Sequence, residues 1–299
     1  MAGNGVLLKK EEKFEHLVKK HPCFGGEAHF KYGRLHLPVS PACNIQCKFC
    51  KRSFNKCENR PGVASGILAP EKALEVVARA LEKCPEITVV GIAGPGDTLA
   101  TPHALETFEL INEKYPQLIK CLSTNGLRLA ENAERVARAG VKTVTVTVNA
   151  VDAEILADIC SYIVSGGQHY TGKEAALRLL AGQLAGIRKV SDLGIVVKIN
   201  TVLIPGVNDG NIGEIARVTA GVGASMMNII PLIPQNEMAH LRPPDCIELN
   251  EAREAAEKYL PVFRHCRQCR ADACGIPGRN TDLADGLYEH RIEETFSHG

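Results

Sequence analysis

The stretch Cys43-Asn44-Ile45-Gln46-Cys47-Lys48-Phe49-Cys50 places three cysteines within eight residues, at the spacing C-x₃-C-x₂-C. It follows an apolar run over residues 34–39 that has the composition of a β-strand. Three thiolates at this spacing can ligate three corners of a 4Fe-4S cluster and leave the fourth iron open. An open coordination position is typical of catalytic metal sites. Zinc is the alternative, and it would need a fourth ligand close by.

Outward from this stretch, short β-branched runs alternate with amphipathic stretches along the chain. The apolar runs cover residues 34–39, 87–93, 118–123, 142–148, 195–202 and 226–232. Helices are predicted over residues 70–83, 102–115, 129–139, 152–163, 173–189 and 209–220. Such alternation requires right-handed crossovers and a parallel sheet. The fold is therefore either a partial (β/α)₆ barrel or an open doubly wound sheet.

Glycines and small polar residues follow the predicted strands where each strand ends. The most distinctive loops are Gly94-Pro95-Gly96-Asp97 and Ser123-Thr124-Asn125-Gly126, and the fourth strand ends at Asn149. Ligands bind at this edge in barrels and open α/β sheets alike. Any single loop of this kind is also explained by the needs of a turn. Loops of this kind follow five successive predicted strands, the second to the sixth, and together they predict a binding site.

Composition excludes several classes of protein. The 299 residues carry 35 Lys+Arg against 34 Asp+Glu, so no basic surface is available for nucleic acid. No apolar run reaches the roughly 18 residues that span a bilayer. The first twenty residues contain no apolar signal segment, so a cytoplasmic location is expected. In a reducing compartment, twelve cysteines indicate metal binding rather than disulfides.

We expect three parts: an extension over residues 1–33, a barrel over 34–244, and a second extension over 245–299. The first includes a charged helix predicted over 11–20, and the last a helix over 248–259, a Cys266–Cys269 pair at C-x₂-C spacing and a polar tail. If both extensions cover the open rim, they bring further cysteines to the predicted site. These are Cys23, Cys57, Cys121, Cys266 and Cys269. His36 lies on the first strand, where it is either an ordinary core histidine or a nitrogen ligand.

The cysteine triplet on a first strand–helix loop resembles that of the radical S-adenosylmethionine (SAM) enzymes. The resemblance implies a partial (β/α)₆ barrel, with Cys43, Cys47 and Cys50 binding a 4Fe-4S cluster whose open iron is chelated by SAM. It places Gly94, Pro95, Gly96 and Asp97 at the SAM amino group. It also places Ser123, Thr124, Asn125, Asn149 and Asn200 near the carboxylate and ribose. Backbone from Ile229 onward, over residues 229–234, is expected beside the adenine.

Further motifs resemble one family of radical SAM enzymes, the NifB maturases of the nitrogenase cofactor. They include His21-Pro22-Cys23, Arg34-Leu35-His36, Cys57-Glu58-Asn59-Arg60-Pro61-Gly62-Val63 and Cys266-Arg267-Gln268-Cys269-Arg270-Ala271-Asp272-Ala273. The resemblance implies that two 4Fe-4S precursor clusters are fused around a carbide taken from a SAM methyl group. The product is an eight-iron, nine-sulfur, one-carbon cluster.

The same resemblance assigns the remaining ligands. Cys23, His36, Cys57, Cys121, Cys266 and Cys269 fall at matching positions for the two precursor clusters, with their division between the clusters left open. Glu58 is expected to move protons from the methyl carbon, unless it is only a surface carboxylate. Glu58, Cys266 and Cys269 are thus the expected catalytic residues. The implied partners are an iron–sulfur cluster donor, a product carrier, and an electron donor such as a ferredoxin or flavodoxin.

Some features depart from the family pattern. Longer members continue into a carrier-like domain for which this chain has no room, so a stand-alone radical SAM domain is expected. Asn59 stands where the family often has serine, which weakens the assignment of Glu58. Cys84, Cys160, Cys246 and Cys274 match no motif. Cys84 and Cys160 are predicted on helices as small buried residues, and Cys274 is a candidate spare ligand.

Two other functions remain open on sequence grounds. A radical SAM peptide maturase would also hold auxiliary clusters, but it would draw their ligands from a cysteine-rich C-terminal domain. Here the barrel itself supplies Cys57 and Cys121. A non-catalytic iron–sulfur carrier or zinc scaffold would not need the glycines and asparagines of the rim.

Overall fold

The structure is a computed structural model that describes Glu15, residues 17–279 and residues 282–288. Half of the helix predicted over 11–20, and most of the tail after residue 280, lie outside these residues. Within the described ranges, every helix is too short or too polar to cross a bilayer.

All six predicted strands occur in the described chain, and six further strands of two to six residues accompany them. In chain order they are β1 (Gly33–His36), β2 (Ile45–Cys47), β3 (Ser53–Phe54), β4 (Val63–Ala64), β5 (Ile87–Ile92), β6 (Ile119–Thr124), β7 (Val141–Thr147), β8 (Cys160–Ser165), β9 (Gln168–Thr171), β10 (Val196–Leu203), β11 (Met226–Pro231) and β12 (Cys274–Gly275).

The helices follow most of these strands in alternation. They are α1 (Gly26–Lys31), α2 (Pro70–Lys83), α3 (His103–Lys114), α4 (Leu129–Arg138), α5 (Ala153–Ile159), α6 (Gly172–Asp192), α7 (Ile212–Gly221) and α8 (Cys246–Glu257). Helix α2 begins with a proline at its first position. Helix α8 begins with a capping box formed by Asp245 and Glu248.

The main sheet has the order β11-β10-β7-β6-β5-β1-β12. The six strands from β11 to β1 are parallel, whereas β12 is antiparallel to β1. The sheet curls into a half-barrel. Within the described residues β11 does not pair with β1, so the barrel is open. The predicted partial (β/α)₆ barrel is confirmed, and the doubly wound alternative is wrong.

The core lies between the curled sheet and its outer helices. Leu35, Val90, Leu122, Val144 and Ile199 come from five successive strands of the sheet and all belong to one buried cluster. This core fixes the strand ends and therefore the positions of the loops that follow them.

One predicted helix is wrong in its second half. The helix predicted over 152–163 ends at Ile159, and residues 160–165 form β8. Gly166 and Gly167, with φ of 59° and 76°, make a two-residue turn to β9. Positive φ at both positions is what the tight hairpin turn requires. The Gly-Gly pair was the signal for this hairpin, and the β-branched and aromatic residues before it favour a strand.

The hairpin supports the loop that carries the cysteine triplet. β8 pairs with β2 in antiparallel register, and Cys47 lies opposite Cys160. Cys160 is therefore not on a helix as predicted, although it is buried. This second sheet holds one edge of the triplet loop in place.

The C-terminal extension joins the barrel at its other side. In β12, Gly275 lies opposite Arg34 and Cys274 opposite Leu35 of β1. Cys274 is buried in the main core, Cys84 is buried at the end of α2, and Cys246 is exposed at the start of α8. The division of the chain at residues 33 and 244 stays a prediction.

Candidate active site

A cavity of about 350 Å³ lies inside the half-barrel. Seven of the eight cysteines predicted as ligands line this cavity, and so does Cys160, which was not predicted as a ligand. They are Cys23, Cys43, Cys47, Cys50, Cys121, Cys160, Cys266 and Cys269. All twelve cysteines fall within the described residues, and no two of them form a disulfide. The cavity therefore collects free thiols from both extensions and from the barrel.

The triplet loop is folded around Gln46. The Gln46 Nε2 atom donates to the carbonyls of Cys47 (2.8 Å) and Cys50 (3.0 Å). The amide of Lys48 donates to the carbonyl of Ile159 at 2.8 Å, at the end of α5. These bonds fix the backbone that presents the three thiols.

Burial controls the protonation of these thiols. It raises the pKa of Cys43 to about 11, against the opposing effect of Arg52. Burial also holds the pKa of Cys47 well above its usual range, and the neighbouring Cys160 and Cys50 add to the effect. A buried thiol of this kind exchanges its proton for a metal ion, so iron binding here releases protons.

The arrangement of thiols fits an iron–sulfur cluster better than a single metal ion. Among the described residues, no three His, Cys, Asp or Glu side chains are grouped closely enough to hold one metal ion. A 4Fe-4S cluster is ligated at its corners, so its thiolates surround it rather than converge on one atom. Thiolates bind zinc as well as iron–sulfur clusters, so it is the spacing of the thiols that favours the cluster over zinc.

The loop of residues 94–97 packs directly against the triplet loop. The amides of Gly96 and Asp97 donate to the carbonyls of Ser40 and Ala42, both at 2.9 Å. A Cβ atom at Gly96 would lie 2.0 Å from the Ala42 carbonyl oxygen. Only glycine allows this approach of two backbones.

We expect Gly96→Ala to destabilise the protein by about 3 kcal/mol, because the clash is with backbone atoms that cannot rotate away. The measurement is chemical denaturation of the variant beside the parent. Gly210→Ala is the matched control, since nothing lies within 4 Å of a Cβ built at Gly210. Equal stability of Gly96→Ala and the parent would contradict the close packing of the two loops.

Asp97 organises the loop that follows β6. Its buried carboxylate accepts from Thr124 Oγ1 (2.9 Å), the Asn125 amide (2.6 Å) and the Leu99 amide (2.9 Å). Burial raises the pKa of Asp97, and these hydrogen bonds oppose the rise. Asn125 Nδ2 in turn donates to Asn44 Oδ1 of the triplet loop at 2.7 Å. The loops after β1, β5 and β6 thus form one hydrogen-bonded unit.

Most of the predicted SAM-binding residues line the cavity. They are Pro95, Gly96, Asp97, Ser123, Thr124, Asn125, Asn149 and Asn200. Gly94 and Ile229 do not line it, and Ile229 is buried in the main core. Its neighbours Ile230 and Pro231 are at the wall instead.

Gln183 is a residue of this region that the sequence analysis missed. It lies on α6, is 1% exposed, and its Nε2 donates to the carbonyls of Asn125 (2.9 Å) and Thr147 (2.8 Å). Gln183 lines the cavity, and its buried Oε1 has no hydrogen-bond partner among the described residues. Gln183 therefore joins two rim loops and leaves one acceptor for a ligand. A glutamine inside an amphipathic helix gives no signal of this in the sequence.

A second group of donors lines the same cavity, formed by Cys23, His36, Cys121, Cys266 and Cys269. The position of Cys23 inside the protein raises its pKa to about 12, while Lys198 acts to lower it. Burial lowers the pKa of His36 to about 4, so the imidazole is neutral at neutral pH. A neutral imidazole is the form that binds metal.

The orientation of His36 is fixed from two sides. Its Nδ1 lies 3.0 Å from the carbonyl oxygen of Arg270, which accepts when Nδ1 carries the hydrogen. A Cβ at Gly91 would lie 3.0 Å from His36 Cδ2, so this glycine makes room for the ring. The remaining nitrogen, Nε2, is then available as a ligand, which is the usual arrangement of metal-binding histidines.

The segment with Cys266 and Cys269 is anchored by a buried ion pair. Arg270 Nε donates to Asp272 Oδ1 at 2.8 Å, and both side chains are buried. Arg270 also donates to the carbonyls of Asn55 and Glu58, at 2.8 and 2.6 Å. The C-terminal extension is thereby held against the loop that carries Cys57.

Cys57 and Glu58 are placed differently from the other predicted site residues. Cys57 is exposed, and neither side chain lines the cavity, although Arg60, Pro61 and Gly62 do. Glu58 is ion-paired with Arg60 at 2.6 Å and accepts from Asn55 at 2.7 Å. The hydrogen bond from Arg60 lowers the pKa of Glu58. Their assigned roles stay predictions.

Comparison with known proteins agrees with this geometry. Residues 37–218 match the family model of the Radical SAM superfamily. The half-barrel is also similar to a radical SAM methyltransferase from Sphaerobacter thermophilus, at 19% identity and a TM-score of 0.59 over 80% of this chain and 69% of that one. It is similar to Streptococcus suis SuiB as well, at 14% identity and a TM-score of 0.57 over 87% of this chain and 55% of that one. At these identities the likeness shows the fold alone.

Curated relatives give a closer match. The chain is 50% identical to the FeMo cofactor biosynthesis protein NifB of Methanocaldococcus infernus, over 97% of this chain and 96% of the relative. It is 44% identical to the Klebsiella pneumoniae protein of the same name, over 87% of this chain but only 57% of that longer relative. The chain belongs to the NifB family of the Radical SAM superfamily.

Proposed function

We propose that this protein is a radical SAM enzyme of FeMo cofactor biosynthesis. It fuses two 4Fe-4S precursor clusters and one additional inorganic sulfide around a carbide derived from SAM, giving an eight-iron, nine-sulfur, one-carbon cluster. The observation that carries the proposal is the single cavity shared by two donor sets. One set is the triplet Cys43, Cys47 and Cys50, and the other is Cys23, His36, Cys121, Cys266 and Cys269. The names of the curated relatives support the same assignment.

The first donor set serves SAM. Cys43, Cys47 and Cys50 hold the 4Fe-4S cofactor, which when bound supplies the electron that cleaves SAM. The loops after β5 and β6 line the cavity beside the triplet. Their backbone N–H groups, side-chain hydroxyls and side-chain amides bind the amino acid group and the ribose of SAM. Asp97 accepts hydrogen bonds from Thr124 and Asn125 and so fixes the two loops relative to each other.

The second donor set serves the substrates. The precursor clusters bind as substrates at Cys23, His36, Cys121, Cys266 and Cys269, with Cys57 as a ligand that approaches when the clusters are present. A neutral imidazole binds iron less tightly than a thiolate, which suits a cluster that must be released. Both donor sets line one cavity. The methyl carbon of SAM can therefore reach the precursor clusters without leaving that cavity.

The proposal is tested by following the methyl carbon of SAM. The protein, loaded anaerobically with iron and sulfide, is incubated with a reductant and SAM carrying ¹⁴C in its methyl group. We expect the label to appear in an iron–sulfur product extracted from the protein. SAM labelled in its carboxyl group is the control and should leave the product unlabelled. A product without methyl-derived label would overturn the proposal.

We further propose that Glu58 accepts protons from the methyl-derived carbon. Its carboxylate is held by Arg60 and Asn55, so it has to leave this pairing to reach the cavity. Glu58→Gln keeps the shape but cannot accept a proton, and we expect product formation to fall about a hundredfold while SAM cleavage continues. Glu71→Gln, at an exposed position on α2, is the matched control. Full product formation by Glu58→Gln would leave Glu58 as a surface carboxylate.

The proposed chemistry has consequences for the location and the partners of the protein. Twelve free thiols point to a reducing compartment, and we propose the cytoplasm. A cluster donor, a product carrier and an electron donor such as a ferredoxin or flavodoxin are the partners that this reaction requires.

A further inference from the structure

Two cations are buried in the wall of the cavity. Arg34 on β1 is 6% exposed and Lys198 on β10 is 5% exposed. Both line the cavity, and both contact the segments that carry Cys23 or Cys269. None of the roles assigned above uses either residue.

Lys198 is surrounded by groups that attract a cation without neutralising it. Its Nζ donates to the carbonyl of Cys23 at 3.0 Å, and it lies 4.5 Å from the ring centre of Phe24 and 5.5 Å from that of Phe263. Ring faces and carbonyls stabilise an ammonium group. Among the described residues, no carboxylate lies within ion-pair distance of it.

Arg34 points directly at one of the proposed ligands. Its Nη2 lies 3.0 Å from Cys269 Sγ, and its Nη1 donates to the Gly275 carbonyl at 2.9 Å. Its Nε is buried without a partner among the described residues. Asp272, the buried carboxylate of this region, is bound by Arg270 and Ser65 instead.

An isolated buried charge is costly, because taking an ion out of water has a penalty that only a counter-charge offsets. Cys269 can offset the charge of Arg34 as a thiolate, whereas Lys198 contacts a carbonyl and two ring faces, so the two cations together indicate a further anionic ligand. Phosphate and carboxylate ligands would suit them, but the neighbouring groups are thiols and an imidazole, which are ligands for soft metals. The sulfides and ligating thiolates of a 4Fe-4S cluster are anionic, and the cluster carries net negative charge once three or more thiolates ligate it, so both features suit it.

We propose that Arg34 and Lys198 form an anion-binding wall that holds an iron–sulfur precursor cluster in the cavity by compensating its negative charge. The inference rests on the proposed function, and it adds an electrostatic contact to the thiol and imidazole ligands. Charge compensation also makes reduction of the cluster easier, since the reduced form carries one more negative charge.

The test is Lys198→Met in the full chain, a change that keeps the length of the side chain and removes the charge. Parent and variant are reconstituted anaerobically with iron and sulfide, desalted, and measured for iron content and by redox-titrated electron paramagnetic resonance. For the parent we expect about twelve irons per chain, four for each of three clusters. For Lys198→Met we expect a loss of about four irons, with the SAM-responsive signal retained. The midpoint potential of any precursor cluster that remains should shift to a more negative value.

Lys120→Met is the matched control. Lys120 is also a buried lysine of the parallel sheet, on β6 and 1% exposed, but it does not line the cavity. It should keep the full iron content. Arg34→Gln tests the second cation independently, and we expect the same selective loss as for Lys198→Met.

The outcomes separate the two proposals. A parent that binds only four irons contradicts the proposed function itself. A parent with the full iron content, together with Lys198→Met and Arg34→Gln that match it in iron and in midpoint potential, overturns the anion-binding wall alone. An equal loss in Lys120→Met also overturns it, because the loss would then follow from removing any buried lysine.

Discussion

Cys47→Ala is expected to abolish SAM cleavage and to remove the SAM-responsive cluster. Cys47 is the central member of the triplet, and its backbone is fixed on both sides by the bond from Gln46 and by pairing with Cys160. We expect a cluster that has lost one of its three protein ligands not to be retained. We expect the rate of SAM cleavage to fall by at least about a thousandfold. The assay is the release of 5′-deoxyadenosine and methionine under anaerobic reducing conditions.

The control for Cys47→Ala is removal of a thiol outside the cavity. Cys246 is exposed at the start of α8 and does not line the cavity, so Cys246→Ala should cleave SAM at the parental rate. Substantial SAM cleavage by Cys47→Ala would show that the triplet does not hold the cluster that SAM uses.

His36→Ala is expected to uncouple the two donor sets. His36 lies in the group with Cys23, Cys121 and Cys269, and the carbonyl of Arg270 and the space at Gly91 fix its ring. Removing the ring deletes a ligand for a precursor cluster but leaves the triplet untouched. We expect SAM cleavage to continue while formation of the fused cluster falls about a hundredfold. The measurement compares 5′-deoxyadenosine release with label transferred from the SAM methyl group.

His103→Ala provides the comparison for loss of an imidazole. His103 opens α3, interacts with Thr101 and does not line the cavity, so the variant should retain both reactions. If His36→Ala lost SAM cleavage yet kept its precursor clusters, the assignment of His36 as a precursor ligand would be wrong.

The fold was largely predictable because its periodic signals are strong. The six parallel strands match the six apolar runs, and α2 begins and ends where Pro70 and the apolar pattern indicate. The β8–β9 hairpin was missed because residues 152–163 read as one amphipathic stretch. Pairing with β2 of the triplet loop, a contact between distant segments, decides the conformation of residues 160–165.

The grouping of the candidate cysteines in one cavity was predictable, whereas the contacts that support them were not. Cysteine spacing and the neighbouring motifs indicated which thiols matter, and most of those thiols do line one cavity. Gln183 and the anchoring pair Arg270–Asp272 act through tertiary contacts that leave no local pattern. Lys198 did leave a signal, since a lysine interrupts the apolar run over 195–202, but only the structure shows that it faces the cavity.

We propose that one cavity holds both the SAM cluster and two precursor clusters. The iron content per protein chain tests this directly. Protein purified and kept under anaerobic conditions is measured for iron and by electron paramagnetic resonance, with and without SAM. We expect about twelve irons per chain and several cluster signals, of which one changes when SAM is added. Four irons per chain with a single SAM-responsive signal, or zinc in place of iron, would contradict it.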